Sequence, residues 1–164
     1  MAHSYIEAFP GEEEAFHAFA RTHPWPVTFL VDTYDTEEGV RIAARVLTDL
    51  RRGPGCAIRL DSGALGALAR RTRTILDGAG LTDVRIVASG GLDEYAVARL
   101  VRVGAPMDVY AVGTRAGVAA DAPYLDAAYK LVECQVRLKV KLSSAKPRHR
   151  AVSRSSAVPG GPTS

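Results

Sequence analysis

The 164-residue sequence predicts an α/β protein built on a parallel sheet. Three observations carry that expectation. Continuous apolar, β-branched runs recur every two to three dozen residues, as strands buried on both faces do. Segments with helical hydrophobic spacing lie between them. Polar residues and glycines gather only where each apolar run ends.

The elements follow in order. GEEEAFHAFARTH, residues 11–23, opens with three glutamates that favour a helix N-terminus, and Phe16 and Phe19 share a face. VTFLV at 27–31 reads as the first strand and DTYDTEEG as a polar turn. Val40, Ala43, Leu47 and Leu50 then recur at helical spacing up to Gly53. CAIRL at 56–60 is the second strand and leads into DSG. Leu65, Leu68, Ile75 and Leu76 mark a helix that ends near Gly78 and Gly80. VRIVA at 84–88 runs into SGG, a helix spans about 92–103, and DVYAV at 108–112 meets GTRAG. After Pro123, AAYKLVE and VRLKVKL alternate as two trailing strands do, antiparallel and outside the main sheet.

Beyond Leu142 the chain is Ser/Pro/Gly-rich, basic and without hydrophobic period, so 144–164 is expected to be a disordered tail after a folded domain at 1–143. The net charge of +3 and pI near 9.0 come from that tail, and the remainder is nearly neutral or slightly acidic. No aromatic residues interleave with the tail cations, which argues against nucleic acid as a partner. Cys56 and Cys134 stand singly in apolar contexts, the plain pattern of a reduced, cytoplasmic protein with buried thiols. Neither a signal peptide nor a bilayer-length apolar stretch is read, so no membrane partner is expected.

Parallel strands joined by right-handed crossovers bring every strand's C-terminal end to one rim, the active-site face of barrels and doubly wound sheets. The polar sets on that rim are Asp32, Thr33 and Asp35; Arg59, Asp61 and Ser62; Ser89, Gly90 and Gly91; and Gly113 with Thr114. Four strands are half of an eight-stranded barrel, so the sheet is either open or an incomplete barrel. Gly90, Gly91 and Gly113 allow backbone N–H groups close to a ligand, and helices starting there would aim those donors at an anion. No dinucleotide or P-loop fingerprint occurs. Carboxylates beside an anion site suit ribose hydroxyls, a metal or a developing cation, so the set suggests a phosphorylated ribose. Simpler roles stand beside these: helix capping for Asp32, Asp35, Asp61 or Ser62, plain turns for the glycines, and an exposed terminal position for His3.

These residues also carry a resemblance. AHSY at 2–5, FLVDTYDT at 29–36, IRLDSG at 58–63, ASGGLDE at 88–94, GAPMDVYAVGT at 104–114 and YKLVE at 129–133 occur in this order. Over roughly 1–143 the sequence resembles the C-terminal half of nicotinate phosphoribosyltransferase. The resemblance implies a partial (β/α) barrel of the type II phosphoribosyltransferase kind. It implies synthesis of nicotinate mononucleotide and diphosphate from nicotinate and 5-phosphoribosyl-1-diphosphate, with ATP hydrolysis, in NAD biosynthesis.

By the same resemblance His3 is the histidine phosphorylated from ATP. Arg59 and Asp61, with Ser62 and Ser89 beside them, hold the phosphoribosyl diphosphate, and Asp61 is also catalytic. Gly90, Gly91, Gly113 and Thr114 cradle the 5-phosphate, and Asp32 lies near the ribose or Mg²⁺. No certain metal ligand is assigned.

Departures from the pattern limit what carries over. The chain begins on the histidine motif, has Ala64 where an acidic residue is common, and leaves the pattern after KLSSAK. A fragment is therefore expected, paired as a homodimer or with a missing N-terminal half, and inactive alone. Trp25 and Tyr34 are its nearest aromatics to a base pocket, and Trp25, between two prolines, reads as a packing residue. The alternatives are a non-catalytic ribose-phosphate-binding or subunit-interaction module, or the sister activity on nicotinamide or quinolinate.

Overall fold

Each of the four apolar runs forms a strand shorter than the run itself. The computed structural model describes residues 1–118 and the backbone of 133–134 and 137–138. The strands are β1 (Thr28–Leu30), β2 (Ala57–Leu60), β3 (Arg85–Ala88) and β4 (Val109–Tyr110). They form one four-stranded sheet in the order β1-β2-β3-β4, every pair parallel. Space follows sequence, so each connection is a crossover through a helix.

Those crossovers are α3 (Thr36–Asp49), α4 (Leu65–Gly78) and α5 (Glu94–Arg102). They follow α1 (His3–Glu7) and α2 (Glu12–Thr22). The expected polar turn DTYDTEEG is shorter than read, because Asp35 accepts the Glu38 N–H at 2.8 Å and starts α3 at Thr36. The carboxylate satisfies an orphan donor of the first turn. Asp93 does the same for α5, accepting from the Ala96 N–H at 2.8 Å. The N-cap of α4 is Ala64, with no side-chain cap, so neither Asp61 nor Ser62 has the capping role weighed for it.

Strand register shows where the core lies. Phe29, Ile58 and Ile86 align across β1, β2 and β3, and all are fully buried. Phe16 of α2 stacks on Phe29 with ring centroids 4.7 Å apart, while Leu47 of α3 and Leu76 of α4 complete that layer. The opposite row is Leu30, Arg59, Val87 and Val109. Leu30 is 1% exposed and Val109 37% exposed, so this face opens from β1 toward β4. Burial on both faces therefore holds at β1 and fails toward β4. Crossovers of one hand between consecutive strands stack their helices on one face only.

Further differences concern single residues. Trp25 is 75% exposed and does not pack as expected. The apolar stripe of α5 buries no residue, and Tyr95 and Val101 stand in solvent. Cys56 is buried as expected. The expected trailing strands meet a short antiparallel pair, β5 (Glu133–Cys134) with β6 (Arg137–Leu138), in a separate sheet. The rest of those strands, the Cys134 side chain and the expected tail at 144–164 lie outside the described residues. Among the described residues, no helix is long and apolar enough to cross a membrane.

Candidate functional site

Parallel pairing continues one residue past the strand ends and sets the exits side by side. The Val31 N–H reaches the Arg59 carbonyl at 3.4 Å, and the Ser89 N–H reaches that of Leu60 at 2.8 Å. Asp32 and Thr33 follow β1, Asp61 and Ser62 follow β2, and Ser89 and Gly90 follow β3. Gly90 is fixed by contact as well as by conformation. Its φ is +90°, and a Cβ there would lie 1.7 Å from the Asp61 carbonyl oxygen. Only glycine lets the β3 exit close onto the β2 exit.

His3 is not an idle terminal residue. The sequence shows no helix signal over 3–7, yet α1 forms there and buries Ile6 completely. Tyr5 adds ring contacts with Phe9 at 5.0 Å and Phe19 at 5.6 Å. This docking brings the imidazole over the rim, where its Nδ1 lies 3.0 Å from Thr33 Oγ1. Its Nε2 lies 3.9 Å from Asp32 Oδ1 and 3.8 Å from Asp61 Oδ2.

Both carboxylates are held from behind. The Ser62 hydroxyl donates to Asp32 Oδ2 in a short hydrogen bond. The Ser89 hydroxyl donates to Asp61 Oδ1 at 2.6 Å. Arg59 stands beside Asp61, one guanidinium nitrogen 3.6 Å from Oδ1, and contacts the Met1 carbonyl at 3.5 Å. Its buried Nε has no hydrogen-bond partner. A buried, unmatched guanidinium donor is costly unless an acceptor arrives.

Asp61 is held well below the usual carboxylate range. The facing His3 ring contributes most, with the Ser89 hydroxyl and Arg59 adding to it against the opposing effect of burial. It is thus an anion at any working pH. Glu12 is displaced the other way, to about 7, first because burial penalises its charge and then because Asp32, Asp35 and Glu38 repel it.

The site residues read from the sequence fall into two groups. His3, Asp32, Arg59, Asp61, Ser62, Ser89 and Gly90 come together at three adjacent exits. Asp32 is fully buried, beneath the histidine. Asp35 is a helix cap. Gly91 takes a positive φ of +66° with nothing packed against it. Gly113 and Thr114 lie at the exit of β4, exposed, where Thr114 begins the four-residue α6 (Thr114–Gly117). The glycine-started helix expected after β3 does not occur, since α5 begins later and its first-turn donor is taken by Asp93.

Two residues escaped a functional reading. Thr33 was a rim polar residue without a role. Glu12 read only as one of three glutamates favouring a helix N-terminus, although its spacing of four and eight from Phe16 and Ala20 marks the core face. Among the described residues, no group of three or more His, Cys, Asp or Glu is arranged to hold a metal.

No protein-family model matches the chain. It is 48% identical over 147 residues to a nicotinate phosphoribosyltransferase of Mycobacterium tuberculosis, covering 89% of this chain and 32% of that protein. It is 44% identical over 133 residues to the nicotinate phosphoribosyltransferase of Bacillus subtilis, covering 80% of this chain and 27% of that one. The human nicotinate phosphoribosyltransferase is 34% identical over 149 residues, covering 84% and 27%. A crystal structure of nicotinate-nucleotide pyrophosphorylase from Pyrococcus furiosus superposes with a TM-score of 0.57 at 28% identity, over 67% of this chain and 28% of that one. The resemblance carried by the motifs is thus shown over most of this chain, which spans about a third of the length of the curated relatives it matches.

Proposed function

We propose that this chain supplies the phosphoribosyl side of a nicotinate phosphoribosyltransferase, within a (β/α) barrel of which β1–β4 are consecutive strands. One observation carries the reading: Arg59, with its unmatched buried donor, and the ionised Asp61 share a strand exit directly below His3. The guanidinium is placed for the diphosphate. Asp61 is placed for ribose hydroxyls or for the positive charge that develops at the ribosyl carbon as diphosphate leaves. Gly90 and Ser89 lie at the adjacent exit, on the path of the phosphorylated sugar.

His3 is the group we assign to phosphorylation by ATP, as a neutral imidazole nitrogen is a competent nucleophile. Mg²⁺ would arrive on the diphosphate and neutralise part of its charge. Such a site needs one or two carboxylates beside the phosphates, and the partly exposed Asp61 fits that requirement. Asp32, buried under the histidine, fits a supporting role better. A homodimer or a second segment would supply the base pocket, and a cytoplasmic setting suits this chemistry.

The test is a chimera in which this chain replaces the matching segment of the Bacillus subtilis relative. It should form nicotinate mononucleotide and diphosphate from nicotinate and 5-phosphoribosyl-1-diphosphate. A folded chimera that binds phosphoribosyl diphosphate without transfer would favour a non-catalytic module. Turnover of nicotinamide or quinolinate in place of nicotinate would favour the sister activity.

A further inference from the structure

The β1 exit holds a buried hydroxyl that none of these assignments uses. Thr33 is fully buried, and its Oγ1 lies 3.0 Å from His3 Nδ1. On the other side of the ring, Nε2 faces Asp32 Oδ1 at 3.9 Å and Asp61 Oδ2 at 3.8 Å. In each carboxylate the oxygen turned away from the histidine is taken by a serine, Ser62 for Asp32 and Ser89 for Asp61. The remaining oxygens are therefore turned toward Nε2.

We propose that Thr33 is a positioning residue that fixes the ring and tautomer of His3, with the proton on Nε2 and the lone pair of Nδ1 accepting the threonine hydroxyl. The proton follows from the acceptors. The ionised Asp61 offers only lone pairs, and the Asp32 oxygen on the same side has no hydrogen-bond partner, so an N–H on Nε2 is the hydrogen both can approach. A threonine hydroxyl can donate or accept, and it takes the role that the ring leaves open. In this resting tautomer Nε2 carries the proton and the Nδ1 lone pair is held by buried Thr33, so attack on ATP requires the Thr33 contact to be released from Nδ1. Ser62 and Ser89 then act through the carboxylates, orienting them toward the ring. Their hydroxyls donate to Asp32 and Asp61, a link that the sequence did not indicate.

The inference deepens the phosphoribosyltransferase reading, in which His3 is the reacting group, but its test needs no substrate. Long-range ¹H–¹⁵N correlation spectra of the full chain, with the His3 signals assigned by their loss in His3→Gln, report the tautomer directly. At a pH where the ring is neutral, His3 should show a protonated Nε2 and an unprotonated Nδ1. Thr33→Val, which keeps the shape and removes the hydroxyl, should shift the Nδ1 resonance and average the two nitrogens, while Thr33→Ser restores the wild-type pattern. Overturning results are a wild-type His3 protonated on Nδ1, or an unchanged ring pattern in a folded Thr33→Val chain. If Thr33→Val does not fold, the wild-type and Thr33→Ser spectra decide, because a pattern lost in the serine variant also contradicts the proposal. A failed chimera with the expected tautomer would count against the transferase reading alone.

Discussion

Replacing Glu12 by glutamine should change how stability depends on pH, with the variant gaining on the wild type as pH rises above mildly acidic values. Glu12 is 7% exposed, its Oε1 has no hydrogen-bond partner, and three other carboxylates repel its charge. In the folded chain it holds its proton up to about pH 7, against an ordinary value of 4.5. The unfolded chain releases that proton earlier, so the wild type loses stability as pH rises from 4.5 to about 7 and stays at the lower level above it. The gap amounts to about 3 kcal/mol at full deprotonation. This is an upper value, since solvent near the carboxyl screens part of the repulsion.

Glutamine carries no titrating charge, but its amide can leave a buried donor unpaired, costing about 1–3 kcal/mol at every pH. The informative quantity is therefore the change in the variant-minus-wild-type difference between two pH values. Urea unfolding followed by circular dichroism at about pH 5 and about pH 8 should show that difference moving in favour of Glu12→Gln by about 2–3 kcal/mol. A difference that stays constant between the two would refute the reasoning.

Two more outcomes follow from the same geometry. Gly90→Ala should destabilise the fold by about 3 kcal/mol or more, because a Cβ there meets the Asp61 carbonyl at 1.7 Å in a left-handed backbone; a loss below about 1 kcal/mol in the same urea assay would show that the exits are not locked together. In the active chimera, acid-labile label from γ-labelled ATP should appear on the protein and vanish in His3→Ala, whereas label persisting in that variant would place the acceptor elsewhere.

The strands were legible because each is a short, largely apolar stretch ended by polar residues, although Arg59 and Arg85 interrupt the second and third and burial on both faces fails toward β4. Their exits were legible for the same reason, and Arg59, Asp61 and Ser89 do meet. The start of α3 was half legible: DTYDTEEG read as a polar turn, but helix capping by Asp35 before TEEG stood beside that reading, and Asp35 does cap α3 through the Glu38 N–H. No local signal could have shown α1. Five residues are too few to hold a helix by propensity, and this one rests on Ile6 in the core and Tyr5 against Phe9 and Phe19. The position of His3 is thus a tertiary fact. The hydrogen bonds from Ser62 to Asp32 and from Ser89 to Asp61 were not legible for a related reason, since a hydroxyl at a strand exit serves a ligand or a neighbouring carboxylate equally well until the register is known.

The proposed function of this rim depends on whether it takes a phosphoribosyl diphosphate through Arg59. Calorimetric titration of 5-phosphoribosyl-1-diphosphate with Mg²⁺ into the chain and into Arg59→Ala measures this most directly. A charge-assisted hydrogen bond is worth about 1.5–3 kcal/mol, so the variant should bind about ten- to a hundred-fold more weakly than the wild type. Equal affinity in the two chains, or no binding to either, would contradict the account.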